Sequence, residues 1–308
     1  MQPICAKWKE KIIVQLKGIN HQNITMAKGK KGFAFTFGRE CGLIVDRKGE
    51  IKYEVCGKLT MNSVAYSNGL FGFVNSDGNV YLLNEETGEL RKVEVGYHHS
   101  MSIGMNSDGF LACYYRCAFF TFDGKRKWDL AEDIVIPSGR PSFTKGFWFV
   151  ANAVPGKILM IDGENGELIE SIPYEEIKEV ATCGNKVAAF APKRIGVYEI
   201  DENQRLGEKT IVEVKGSGSF DFIKGGTIVS NGCSIVAIAM LNGLRVFRLP
   251  SKEDRLLVEN EILAIDSLEN EISVLTLGRN RTPKYVMESV ILLTPVAKFN
   301  LAGEKNAD

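Results

Sequence analysis

The sequence predicts an all-β fold built from a repeated four-strand unit. Three observations carry this reading. Asp46, Asn84, Asp123, Asp162 and Asp201 each end an apolar strand and open a polar turn, and they are spaced by 38, 39, 39 and 39 residues. A second ladder of turn residues that open apolar strands runs in phase with the first, at Gly32, Gly69, Gly109, Gly146 and Asn185. No stretch keeps a 3.6-residue apolar period with helix caps, and Tyr174 to Val180 makes one helical turn at most. Four short strands per repeat of roughly 40 residues is the period of a β-propeller blade.

The first unit runs from the strand Gly32–Phe37 to the hairpin at Asp46-Arg-Lys-Gly49-Glu50. With Lys48-Gly49 at its tip, that hairpin pairs residues whose numbers sum to 97. Cys41 and Cys56 are then expected to face each other and to touch, as thiols or as a disulfide. The second unit holds Gly69–Phe73 and Val80-Tyr-Leu-Leu-Asn84-Glu-Glu-Thr-Gly88-Glu89. The third has Gly109–Ala112 and a tight Asp123-Gly124 hairpin. The fourth has Ile158-Leu-Met-Ile-Asp162 closed by Gly166-Glu167, with Phe147, Trp148 and Phe149 expected to pack between blades. The fifth ends at Val197-Tyr-Glu-Ile-Asp201.

Beyond Asp201 the spacing loosens. One alignment makes Asn242-Gly243 an inner turn and Ser251–Asp254 the hairpin of a sixth blade. A seventh then follows from Ile262–Asp266, Ile272–Leu277 and Tyr285–Leu293, closed by the N-terminal strand Ile12–Leu16, because an open ring would expose two sheet edges. The alternative makes Asn242-Gly243 the hairpin itself and leads to eight blades. The expected architecture is a single propeller over residues 1–301, with seven blades of four antiparallel strands, and a flexible tail over 302–308.

The segment Ser63-Val-Ala-Tyr-Ser-Asn-Gly69 through Asn75-Ser-Asp-Gly78 to Glu89 resembles one blade of the β-propeller superfamily of WD40-like and quinoprotein-like repeats. The resemblance covers residues 20–290. A Trp-Asp dipeptide occurs once, at Trp128-Asp129, after the hairpin instead of before it. The resemblance implies a ring fold and an interaction role, and no particular subfamily.

Composition narrows the setting. The 308 residues carry 38 Lys and Arg against 38 Asp and Glu, so the whole molecule offers no net attraction to nucleic acid or to a membrane surface. No apolar run reaches the roughly 18 residues of a membrane span, and the first residues lack the apolar core of a signal peptide, which leads us to expect a cytoplasmic protein. Four glutamines amid abundant Lys, Glu, Val and Ile match the bias of proteins from hot environments. Seven scattered cysteines without a C-x-x-C pair read as reduced thiols packed as small apolar residues, unless a hyperthermophilic source permits intracellular disulfides.

Catalytic motifs are not found: there is no P-loop, G-x-S-x-G, H-E-x-x-H or EF-hand spacing. His98 and His99 are adjacent and point to opposite faces of a strand, and His21 reads as a buried hydrogen-bonding residue. Cys113 and Cys117 read as small residues in neighbouring strands in preference to a redox or metal loop. No metal ligands and no cofactor are expected.

The turns between second and third strands remain. In this fold they share one face with the inter-blade loops, and they hold seven basic residues against two acidic. Arg39, Tyr114, Tyr115, Arg116, Lys193, Arg194, Arg279 and Arg281 are the candidate partner-binding residues, since Arg suits carboxylate or phosphate recognition and Tyr supplies contact area. Glu175, Glu176 and Glu179 are assigned to inter-blade loops of the same face. The expected function is a non-catalytic scaffold that engages another, acidic, protein through this face. The alternatives are a propeller enzyme, a hydrolase or lyase working in the central channel, and binding of nucleic acid by the basic rim.

Overall fold

The structure is a computed structural model that describes residues 8–17, 24–96, 102–130, 135–214, 223–229, 233–249, 253–258, 261–268, 271–277 and 287–295. Among them there is no helix. After β1 (Trp8–Lys17) the chain lays down antiparallel four-stranded sheets, each continuous in sequence. The first sheet is β2 (Ile24–Lys28), β3 (Gly32–Phe37), β4 (Cys41–Asp46) and β5 (Ile51–Cys56). The second is β6 (Met61–Ser67), β7 (Leu70–Asn75), β8 (Asn79–Asn84) and β9 (Leu90–Glu94). The third is β10 (Ser102–Met105), β11 (Gly109–Tyr114), β12 (Arg116–Thr121) and β13 (Arg126–Asp129). The fourth is β14 (Ser142–Thr144), β15 (Phe147–Asn152), β16 (Lys157–Asp162) and β17 (Leu168–Pro173). The fifth is β18 (Glu179–Cys183), β19 (Lys186–Ala191), β20 (Arg194–Ile200) and β21 (Leu206–Glu213). The sixth is β22 (Ile223–Val229), β23 (Ile235–Met240), β24 (Gly243–Arg248) and β25 (Glu253–Val258). A final sheet is composite: β26 (Ile262–Leu268), β27 (Glu271–Leu277) and β28 (Met287–Pro295) are followed by β1, which pairs antiparallel with β28.

The first strands adjoin in the cyclic order β2, β6, β10, β14, β18, β22, β26 and back to β2, which is the ring of a β-propeller. Asn242 and Gly243 lie at the turn from β23 to β24, an inner position, and not at an outer hairpin as the eight-blade alternative required. The first strand of the composite sheet extends to Leu268, two residues beyond the expected end at Asp266.

Neighbouring sheets pack on both faces of the inner strands, so the second strands of the first six sheets read as near-continuous apolar runs, while β27 (Glu-Ile-Ser-Val-Leu-Thr-Leu) alternates. Every residue of Gly32–Phe37 and of Phe147–Asn152 is buried. Trp148 is fully buried between the third and fourth sheets, its ring 5.9 Å from Phe119 and 5.0 Å from Phe143. Between third and fourth strands the register slips at Ile44/Val45, Phe119/Phe120, Met160/Ile161, Val197/Tyr198 and Leu244/Arg245. A bulge recurring there twists the outer strand and blunts an edge that could otherwise pair with another chain.

The repeat markers are Asx turns. Asp46 Oδ1 accepts from the backbone N–H groups of Lys48 and Glu50 at 2.8 and 3.0 Å. Asn84, Asp162 and Asp201 do the same for their own turns. The glycines that close two of these turns have positive φ, 73° at Gly88 and 78° at Gly166, which a side chain would strain. Each also receives an aromatic ring from the outer strand of the preceding sheet, Tyr53 on Gly88 and Trp128 on Gly166.

The cysteines depart from the expectation of packed thiols. Cys41 pairs with Cys56, Cys113 with Cys117 and Cys183 with Cys233, each pair disulfide-bonded. The first two are directly opposed residues on adjacent antiparallel strands; neighbouring strands are the expected place of Cys113 and Cys117, and the bond between them is the departure. The third links the end of β18 to the β22–β23 connection of the next sheet. Cys5, His21, His98 and His99 lie outside the described residues.

Candidate functional site

Two features could carry function: the loop-bearing face and the channel that opens on it. The turns between second and third strands hydrogen-bond to the loops that lead into the next sheet. Met61 N donates to Arg39 O at 2.7 Å, Val135 N to Tyr115 O at 2.8 Å, and Val214 N to Lys193 O at 2.9 Å. These turns and loops therefore share one end of the ring. Arg39, Arg116 and Lys193 are exposed there. Tyr115 is the apex of the β11–β12 turn, at φ 49° and 50% exposed, with the Tyr114 ring 4.2 Å away. The Cys113–Cys117 disulfide closes that turn at its base. Arg194 is not a free rim group: its guanidinium lies 4.5 Å over the Tyr174 ring. Arg279 and Arg281 lie outside the described residues. Two apolar side chains that sequence reasoning missed, Leu59 and Val154, are exposed on loops of the same end.

The channel is lined by first strands. Its mouth at the loop-bearing end is a cavity of about 320 Å³ reached by Thr25, Asn62, Ser102, Lys178 and Lys224. Its floor is an ionic cluster. The segment Gly139-Arg140-Pro141 is squeezed between neighbouring strands: a Cβ on Gly139 would lie 2.8 Å from Lys178 O, and Pro141 O sits 2.4 Å from where a Cβ on Gly104 would be. The leader holding it pairs with the fourth sheet through Pro137 and Asn152. Arg140 then reaches across the channel. Its Nη1 donates to Met26 O at 2.9 Å and its Nη2 to Asp266 Oδ1 at 2.9 Å, while Nε lies 3.8 Å from Glu179 Oε1. Asp266 Oδ2 accepts from Lys28 N at 2.7 Å, and Glu179 Oε2 from Gly226 N at 3.1 Å. The guanidinium thereby joins the leader of the fourth sheet to the first, fifth and composite sheets, and Glu179 extends the link to Gly226 of the sixth.

Charges held this way are perturbed. Burial raises the Glu179 carboxyl to about 7, against the Arg140 charge and the Gly226 N–H that favour its ionised form, and with the Asp266 charge pushing the same way as burial. Burial would lower Arg140, but Asp266 and Glu179 hold it above its ordinary value. Below the floor a second cavity, of about 220 Å³, includes Arg140, Glu179, Thr182, Thr227 and Asp266, so the cluster divides the channel in two. At the far end Lys28 is buried, which lowers its ammonium despite the pairing of Nζ with Glu271. Arg47 Nη2 also reaches Glu271, at 3.3 Å.

Glu179 corrects the sequence reading. It is the first residue of β18 and faces the channel, not a member of the acidic loop set with Glu175 and Glu176. Arg140, Glu179 and Asp266 are scattered single residues, and only the ring brings them together. A charge amid the apolar run Ile262-Leu-Ala-Ile-Asp266 was the one local signal of the cluster. Chemically it is closed: both carboxylates are shared between one guanidinium and backbone amides, and among the described residues no third metal-ligating side chain joins them. No protein-family model matches the chain, and no curated protein matches it at a significant level.

Proposed function

We propose that this chain is a seven-bladed propeller, closed by β1, that acts as a non-catalytic scaffold and engages an acidic protein partner with its loop-bearing face. The observation that carries the reading is the Tyr115-Arg116 turn. A large aromatic and an arginine are presented side by side in solvent, on a turn braced by the Cys113–Cys117 bond. Tyr and Arg dominate binding hot spots, and a pre-ordered turn lowers the ordering cost of association. Exposed Leu59 and Val154 supply apolar area, and Arg39 and Lys193 supply positive charge. A WD40-like or quinoprotein-like role would use this same face.

The test is affinity capture from the source organism with wild-type protein and with a Tyr115→Ala/Arg116→Glu variant of equal thermal stability. Proteins retained by the wild type and lost by the variant support the reading. An unchanged set of partners overturns it. The second reading is a hydrolase or lyase in the channel, favoured by the Glu179 carboxyl near 7 at the floor of a cavity. Turnover of any substrate that disappears in Glu179→Gln, with the Tyr115-Arg116 variant fully active, would put that reading first. Binding of nucleic acid would instead show steep salt dependence.

A further inference from the structure

We propose that Cys41, Cys56 and Glu54 form a redox-gated site for a thiophilic divalent cation of the zinc class. Cys41 opens β4 and Cys56 ends β5, directly opposite each other with Cα atoms 4.0 Å apart. Glu54 precedes Cys56 by two residues, so strand alternation puts its side chain on the same face. The two sulfurs and a Glu54 carboxylate oxygen all lie within 4.8 Å of one another. Cys56 and Glu54 are exposed and Cys41 is half-buried, which leaves the site open to reductant and to metal. The other two disulfides lack this combination: Cys113 and Cys117 are fully buried, and among the described residues no carboxylate joins either pair.

Oxidised, the site is a covalent link without metal affinity. A dithiol reductant gives two electrons and two protons to the disulfide; the S–S bond breaks, each cysteine becomes a thiol, and the reductant becomes a disulfide. The cation then forms two metal–sulfur bonds and releases the two thiol protons to solvent. Thiolates bound at about 2.3 Å in a tetrahedral site lie roughly 3.7 Å apart, a separation that side-chain rotation on facing residues supplies. Glu54 is the third ligand, and a water completes the set, as in sites that keep an open position.

The pair stays together after reduction because the hairpin does not depend on the bond. Gly57 N donates to Glu40 O at 2.9 Å beside it, and Val55 and Ile44 on the opposite face are buried against the second sheet. The tight contact of Gly42 with Phe73 holds β4 in place from the same side.

Co²⁺ is a spectroscopic probe of the site. The full chain is reduced briefly with a phosphine under native conditions, and alkylation with mass spectrometry confirms thiols at 41 and 56. Titration with Co²⁺ should then give one equivalent bound, with thiolate-to-cobalt charge-transfer absorption and the visible bands of a tetrahedral ion, displaced by Zn²⁺. The oxidised chain should give neither. Cys41→Ser should abolish the charge-transfer band, and Glu54→Gln should keep it while weakening binding by about tenfold or more. Reduced protein with no thiolate band, or a band that survives Cys41→Ser, overturns the proposal. So does loss of the β-sheet circular dichroism on reduction, because the site requires a hairpin that outlives its disulfide.

Discussion

The Trp128 indole packs against Gly166 of the next sheet and donates from Nε1 to Gly163 O at 3.0 Å. The outer strand of one blade is thus keyed into the Asx turn of the following one, and the position tolerates no side chain. A Cβ on Gly166 would sit 2.4 Å from the ring. Gly146 offers a control, since it has φ 85° but open space around it. Gly146→Ala should cost the backbone penalty alone, about 1–2 kcal/mol. Gly166→Ala should cost that and overpacking, about 2–5 kcal/mol in total. Urea unfolding of both variants measures the difference, and equal losses would show that the indole gives way freely.

Breaking the ion pair between Arg140 and Asp266 should weaken the ring as a whole, because it ties distant blades together. Removing one partner of a fully buried pair costs about 3–5 kcal/mol; these side chains keep 20% and 17% of their exposure, so we expect about 2–3 kcal/mol for Arg140→Leu. Arg140→Leu/Asp266→Leu should be less destabilised than the sum of the single variants. Thermal unfolding of the four proteins gives the coupling directly, and additivity would mean that the pair is solvated.

Stability should fall as pH rises through the Glu179 titration. Its folded value, about 7, lies above the ordinary 4.5. The folded state thus binds this proton more tightly, and the benefit is complete below about pH 4.5 and lost by about pH 7. Glu179→Gln, which keeps an acceptor for Gly226, removes the dependence. The variant should gain on the wild type between pH 4.5 and 7 by at most about 3 kcal/mol. Parallel stability curves over that range would refute the assignment.

Deleting residues 1–17 removes β1 and leaves β28 as an unpaired edge. The truncated chain should unfold several degrees lower and associate through the bared strand. Deleting 303–308 should leave the melting temperature unchanged. Differential scanning calorimetry with light scattering reads both outcomes, and an N-terminal truncation as stable as the full chain would show that β1 adds nothing to the ring.

The repeat was legible because its chemistry is local. An Asp or Asn whose side chain caps its own turn, followed by a residue at positive φ, recurs with the hairpin; that residue is Gly49, Gly88, Gly124 and Gly166 in four of the turns and Gln204 in the fifth. The register that faces Cys41 with Cys56 follows from the hairpin tip for the same reason. The channel cluster was illegible because its members have no local partners. Arg140 and Glu179 are 39 residues apart, one full period, and occupy neighbouring places in successive blades. Their contact appears only after the sheets are arranged in a circle. The rim was readable as loops, but not the fate of each side chain, as Arg194 shows by lying on Tyr174.

The pairing of β1 with β28 also sets how the molecule responds to tension. Trp8 faces Pro295 and Lys17 faces Met287, so the start of β1 and the end of β28 lie at the same side of the seam. A pull applied through them peels the two strands apart one bond at a time, whereas a shear geometry would load the whole ladder at once. The ring should therefore open at low force at this seam. Extension beyond it is limited in the oxidised protein, where the Cys183–Cys233 bond, at a sequence separation of 50, keeps the chain between the two cysteines from being drawn out.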